Sequence, residues 1–180
     1  MDFFGLVNAR ESVRNYLDKP IEKEKIERCL EAVRLAPSAC NSQPWKFIVV
    51  DDPRLKNAVA SETFGKLVSF NRFSVQAPVI MVLVMEKSNT TAGLGAVVKD
   101  KQYNQIDIGI AAEHFCLAAA EEGLGTCMLG WFDEKGVKEL LDIPKDRRIG
   151  LLITLGYPAS DGIRAKKRKG IDEIRSYNKY

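Results

Sequence analysis

The sequence predicts a single domain, residues 1–180, in which α-helices alternate with β-strands. Three observations predict it. The chain has 180 residues, the length of one domain, with no stretch that reads as a linker or an internal repeat. Amphipathic helical patterns alternate with short apolar runs of strand length along it. Hydrophobic residues make up 46% of the chain, enough for a sizeable buried core at this length. Taken alone, such alternation suggests a parallel sheet covered by helices.

The elements follow in order. Residues 2–8 read as a short helix. In residues 22–35, Ile26, Leu30 and Val33 fall at i, i+4 and i+7, one helical face. Pro37 stops that helix, because the residue before a proline disfavours helical geometry. Phe47–Val50 reads as a buried strand. Asp52-Pro53 is a helix start, an acid N-cap followed by proline at the first helical position. That helix is expected to run to about Glu62, and another to cover 64–71. Val79–Val84 is apolar on both faces and so a central strand.

Residues 86–103 are polar with two glycines and read as a mobile loop. The longest helix, about 105–122, carries Ile106, Ile110, Ala111, His114, Phe115, Ala118 and Ala119 at helical spacing. A helix this apolar lies in the core or packs on another subunit. Gly123 closes it. Thr126–Trp131 is a short strand or loop, Asp133 caps a helix to about Leu141, and Ile149–Leu155 is the last strand. Gly156-Tyr157-Pro158 is a turn, and the rest is an extended basic tail.

Composition excludes several classes. A net charge of +3 is too small to argue for nucleic acid. Basic residues crowd only at Arg164 and Lys166–Lys169, a solvated tail or an anion site. Four cysteines without a C-x-x-C pair and a single histidine do not make a zinc site, and no metal is expected. The cysteines read as buried, reduced thiols of a cytoplasmic protein. Met1–Gly5 shows no basic-then-apolar leader, and the longest apolar run, Ala77–Met85, is too short to span a membrane. His114 reads as a core or interface residue, with a proton-transfer role left open by histidine's titration range. There is no G-x-G-x-x-G or Walker loop. An enzyme of this sequence would need its reactive group from an organic cofactor.

Three polar segments carry the chemistry. Ala36–Trp45, between a helix and a strand, presents Ser38, Asn41, Ser42 and Gln43, and is either a binding loop or an ordinary surface turn. Arg10-Glu11-Ser12-Val13-Arg14 would place two guanidinium groups and a hydroxyl on one side of an extended segment. That suits a phosphate, although a solvated basic pair fits the same pattern. Lys166 and Arg168 repeat the spacing in the tail.

Together these segments resemble the nitroreductase family of flavin enzymes over nearly the whole chain. The likeness rests on Arg10-x-Ser12-x-Arg14, Pro37-Ser38-Ala39-Cys40-Asn41-Ser42-Gln43-Pro44-Trp45, Gly123-Leu124-Gly125-Thr126-Cys127-Met128-Leu129-Gly130, Leu155-Gly156-Tyr157-Pro158 and Lys166-x-Arg168. It implies an α+β fold with a mixed, mostly antiparallel central sheet flanked by helices, in an intertwined homodimer. The tail, residues 162–180, would extend over the partner subunit, and helix 105–122 would form the dimer core.

The resemblance also implies non-covalent FMN at the dimer interface. Arg10 and Ser12 would hold the phosphate, with Lys166 and Arg168 closing on it. Arg14 would lie near the pyrimidine edge of the ring. Pro37, Ser38 and Asn41 would reach the cofactor from the other subunit, Asn71 would contact the ribityl or ring edge, and Leu129 and Gly130 would lie over the ring. The implied activity is hydride transfer from NADH or NADPH through flavin N5 to nitroaromatics, quinones or similar small acceptors, with no catalytic side chain assigned. A non-catalytic or specialised flavin protein, an FMN store or redox partner, is the alternative. Trp131 and Phe132 near the expected mouth would either stack on substrate or pack the core.

Overall fold

A computed structural model of the chain describes residues 1–65, 69–89, 102–160 and 162–180. Helices are α1 (Phe3–Ala9), α2 (Lys23–Arg34), α3 (Pro53–Ser61), α4 (Tyr103–Glu121), α5 (Glu134–Leu140) and a short α6 (Ile171–Ile174). Strands are β1 (Trp45–Val50), β2 (Val79–Met85), β3 (Gly125–Leu129) and β4 (Arg148–Gly156). The sheet runs β1-β2-β4-β3 with every neighbouring pair antiparallel. The parallel sheet suggested by simple alternation is therefore not formed, and the arrangement is the α+β one the resemblance implies.

Period two decides which side chain meets which layer. On β2, Val79, Met81 and Leu83 join a core with Ile26, Cys29 and Val33 of α2 and Ile108, Ala111 and Phe115 of α4. Ile80, Val82 and Val84 join the opposite core, with Val59 and Ala60 of α3 and Val137 of α5. Both faces of β2 are thus covered, which is why its sequence is apolar throughout. On β4 the alternation slips once. Leu83 pairs Leu151 while Val84 pairs Ile149, so Gly150 is an extra residue. A bulge of this kind shifts the side-chain phase by one, putting Ile149 on the same core as Leu152. A side chain at Gly150 would come within 2.9 Å of Ile108 Cγ2.

Helix α4 follows the same logic. Ile108, Ala111, Ala112, Phe115, Cys116 and Ala119 are buried on one face. The opposite side is open, with Ile106 56% exposed and empty space around Gly109.

The N-terminal segment adds to the β3 edge. The Val13 N–H donates to Thr126 O at 2.8 Å and the Leu17 N–H to Tyr157 O at 2.9 Å. The Ser12–Thr126 bridge is parallel, which makes the extended sheet mixed. Gly125 permits this approach: a Cβ there would lie 2.6 Å from Val13 Cγ2.

Three sequence expectations change. Of the helix expected over 64–71, residues 66–68 lie outside the described residues, and the rest are not helical; a 3₁₀ turn, Arg72–Gln76, follows instead. Helix α3 ends because the Ala60 carbonyl accepts from the Thr63 N–H at 3.0 Å and the Thr63 hydroxyl at 2.7 Å, a local competitor to the helical bond. The loop expected over 86–103 falls mostly on residues 90–101, outside the described residues. Its first part is extended and tied down, with the Glu86 N–H on Pro44 O at 3.0 Å and Arg147 Nε on Glu86 at 2.8 Å. Finally, Cys29, Cys116 and Cys127 are buried free thiols, whereas Cys40, in the middle of the Ala39–Asn41 turn, is exposed. Burial pushes the Cys29 and Cys116 thiols up to about 12.

Candidate functional site

The first group of expected site residues sits where the tail meets the N-terminal segment. Arg10 is the C-cap of α1 and has left helical geometry, with ψ at 121°. From there the chain runs extended, pinned by buried Val13. The tail lies across it. Arg164 Nε donates to Glu11 Oε2 at 2.8 Å and its Nη2 to the Ser12 carbonyl. Lys166 Nζ donates to the carbonyls of Val7 at 2.7 Å and Asn8 at 2.6 Å. Those are last-turn carbonyls of α1, which lack intrahelical partners and favour a cation.

Arg10 is close enough to act on Lys166: burial, then the charges of Arg10 and Arg168, lower the Lys166 ammonium. The cations are thus gathered against their mutual repulsion. Arg10 Nε is 3.3 Å from Glu113 Oε1 on α4, yet it is buried and makes no hydrogen bond among the described residues. Buried donors are normally satisfied. A gathered cation set with an orphaned, buried guanidinium N–H fits a phosphate, whose oxygens would supply the missing acceptor. Ser12 is half-buried, its carbonyl bonded by Arg164. Arg168 Nη1 bonds the Lys167 carbonyl at 2.9 Å. Beside the cluster, Arg10, Glu11, Val13, Leu124, Tyr157 and Ile163 border a cavity of about 320 Å³, at the small end for a ligand pocket.

Arg14 is exposed. Its guanidinium lies 5.9 Å from the centroid of the Phe73 ring, which brings it towards the 3₁₀ turn that Asn71 caps. Asn71 itself is buried. Its amide nitrogen donates to Thr63 O at 3.2 Å and Trp131 O at 3.1 Å, so Asn71 ties the segment after β3 to the end of α3. Its donors are used within the chain, and only the amide oxygen is left for a ligand. Leu129 is buried at the end of β3, while Gly130 is exposed with open space about it. The two aromatics that follow separate. Phe132 packs against the core; Trp131 is 58% exposed, its ring 6.4 Å from that of Phe70.

The third group is the 37–43 turn. Pro37 and Asn41 are exposed and Ser38 half-buried. Cys40, Asn41 and Gln43 have φ of 51°, 49° and 46°, the left-handed region that only asparagine among them adopts readily. Hydrogen bonds hold this shape. Ser38 Oγ accepts the Gln43 N–H at 2.8 Å, and Asn41 Oδ1 accepts Gln43 Nε2 at 3.0 Å.

Within one chain the turn does not join the cation cluster. It meets α4 at Asp107, whose Oδ1 accepts the Ala39 N–H at 3.1 Å, whereas Arg10 meets α4 at Glu113. Six residues is about 240° around a helix, so the two attachments lie on different faces. Sequence reasoning did not single out Arg164, Glu113 or Asp107. A signal existed for Asp107, an acid inside the apolar run Ile106–Ile110. Arg164 was visible only as part of the basic crowd at 164–169, and Glu113 carried no signal, since each works through a partner distant in sequence.

The fold defines an α+β class whose sheet edge is completed by the N-terminal segment and overlaid by the tail. Comparison with known proteins makes this specific. Residues 7–157 match the profile of the nitroreductase family, and the chain belongs to that family, a class of oxidoreductases. It is 30% identical over 179 residues to the NADH dehydrogenase of Thermus thermophilus, spanning 85% of each chain. Among solved structures it resembles a nitroreductase family protein from Streptococcus pneumoniae, with a TM-score of 0.82, 26% identity and coverage of 97% of this chain and 99% of that one. It equally resembles an FMN-dependent nitroreductase from Clostridium difficile, with a TM-score of 0.81, 26% identity and coverage of 99% and 100%. Among the described residues no helix is long and apolar enough to cross a membrane.

Proposed function

We propose that the protein is a cytoplasmic FMN-dependent oxidoreductase that takes hydride from NADH or NADPH and reduces nitroaromatics, quinones or similar small acceptors, acting as a homodimer. The observation that carries this reading is the gathering of Arg10, Lys166 and Arg168, with the Arg10 Nε–H buried and without a hydrogen-bond acceptor among the described residues. The FMN-dependent relative of the same fold supports it. When bound, FMN supplies a ring that accepts a hydride and passes electrons on.

The chain's own residues bind and tune. Arg10 and Ser12, with Lys166 and Arg168, neutralise the phosphate. Arg14, held over Phe73, places a positive charge that favours an anionic reduced ring. Leu129 and Gly130 close β3, buried at Leu129 and open at Gly130, and their backbone N–H groups would face the ring, while the Asn71 amide oxygen would serve as an acceptor. Pro37, Ser38 and Asn41 come from the second subunit. Two features support that subunit: the separation of turn and cluster on α4, and the exposed apolar residues of α1 and the tail. Phe3, Phe4, Ile171, Ile174 and Tyr177 are each more than half exposed, more than a lone chain ordinarily leaves in water. The start of the tail is held on the chain's own N-terminal segment through Arg164 and Lys166, and residues 171–180 beyond it then extend over the partner.

Purification tests the reading. The protein is expected to be yellow, to release FMN on denaturation and to sediment as a dimer. Colourless protein that cannot be reconstituted with FMN would refute it. A yellow protein that no nicotinamide reduces would be a flavin store or redox partner.

A further inference from the structure

We infer that Asp107 and Asn89 are positioning residues that lock the 38–43 turn in its left-handed shape and so present Ser38 and Asn41 to the cofactor. The inference rests on the flavin reading for its purpose, but on the geometry of the turn for its content. The turn is intrinsically unfavourable: Cys40 and Gln43 both hold positive φ without being glycine or asparagine. Such backbone persists where the surroundings over-determine it, and it concentrates at functional sites.

Bonds inside the turn run from Gln43 to Ser38 and Asn41, from the Asn41 N–H to Ser38 O at 3.1 Å and from the Ser42 N–H to Ala39 O at 3.0 Å. Two further anchors on its N-terminal half and centre come from outside. Asp107, only 3% exposed, presents one oxygen to the Ala39 N–H at 3.1 Å. Its other oxygen is buried without a hydrogen-bond partner among the described residues. A carboxylate buried this deeply is unfavourable, and the Ala39 bond is what the structure shows it doing there.

Asn89 grips the other side. Its backbone N–H donates to Ser42 Oγ at 2.8 Å and its Nδ2 to the Cys40 carbonyl at 2.9 Å. Asn89 follows β2 and Asp107 lies in the first turns of α4. Both ends of the β2–α4 connection are therefore fastened to the same few residues, one on each side of Cys40.

The test measures hydrogen exchange of the 36–45 segment together with FMN affinity in Asp107→Ala, Asp107→Asn and Asn89→Ala. The amides of Ala39, Asn41, Ser42 and Gln43 are all hydrogen-bonded, so their exchange reads the turn directly. Exchange there is expected to rise about tenfold in Asp107→Ala and Asn89→Ala, the effect of one lost anchoring bond. Exchange of β2 and β4 should stay unchanged, and FMN affinity should fall in step. Asp107→Asn, which keeps an oxygen for Ala39, should remain near wild type. Asn89 is exposed, so its variant folds even if an Asp107 variant does not. Exchange in the turn equal to wild type in both alanine variants would overturn the inference. If the wild type binds no FMN, the flavin reading fails instead, and the exchange measurement still decides the clamp.

Discussion

Replacing Arg10 with alanine separates binding from stability. In the folded chain the guanidinium's ion-pair partner is Glu113, whose side chain is 42% exposed. A pair open to solvent on one side contributes about 0–1 kcal/mol, and the variant also removes a buried donor that lacks an acceptor among the described residues. The melting temperature should therefore move by less than about 4 °C. The effect on the cofactor is of another size. A hydrogen bond between charged groups contributes about 1.5–3 kcal/mol, so losing one to the phosphate raises the FMN dissociation constant roughly 13- to 160-fold. Loss of the charge also relieves Lys166, whose ammonium Arg10 helps to lower. Titration of stripped protein with FMN, followed by quenching of flavin fluorescence and paired with thermal melts, reads both quantities. Unchanged affinity would refute the phosphate assignment. Weakened affinity with an equally large loss of stability would show that Arg10 acts through the fold.

Three further outcomes follow from the packing. Gly125→Ala would drive a Cβ into Val13, 2.6 Å away, and lift the N-terminal segment from β3. A stability loss of about 1–3 kcal/mol with weakened FMN retention is expected in denaturation and binding assays. Phe115→Ala empties the fully buried centre between α4 and the sheet and should cost about 3–5 kcal/mol in chemical denaturation. At Glu134, burial works to raise the carboxyl, but the Ile149 N–H, Lys138 and Arg148 outweigh it and hold it at about 2. A carboxyl depressed on folding stabilises above its ordinary value of about 4.3 and loses that contribution as pH falls towards 2. Denaturation midpoints of Glu134→Gln should lie below wild type at neutral pH and converge with it in acid.

Local chemistry was legible in the sequence; long-range placement was legible only in part. The Asp52 and Asp133 N-caps, the Gly123 stop at φ 74° and the all-apolar β2 appear as read. Each depends on neighbours within a few residues or on a single period. The antiparallel direction of the sheet could not be read from alternation and came through family resemblance. Of the helix expected over 64–71, the described residues are not helical, and the stop of α3 just before it, where Thr63 takes the Ala60 carbonyl, is a side-chain choice no periodicity encodes. At the site, the spacing of Arg10, Ser12 and Arg14 was visible. That Lys166 reaches the carbonyls of Val7 and Asn8, more than 150 residues earlier, was visible only in three dimensions. So was the burial of Asn71 and its bond to the Trp131 carbonyl.

The central claim, a flavin reduced by nicotinamide at a site built on Arg10, Ser12, Lys166 and Arg168, is tested most directly by anaerobic titration of the FMN-loaded protein with NADH and NADPH. The account predicts that the visible flavin absorption bleaches with one of them and returns on addition of a quinone or nitroaromatic. Flavin that stays oxidised with both nicotinamides would contradict it.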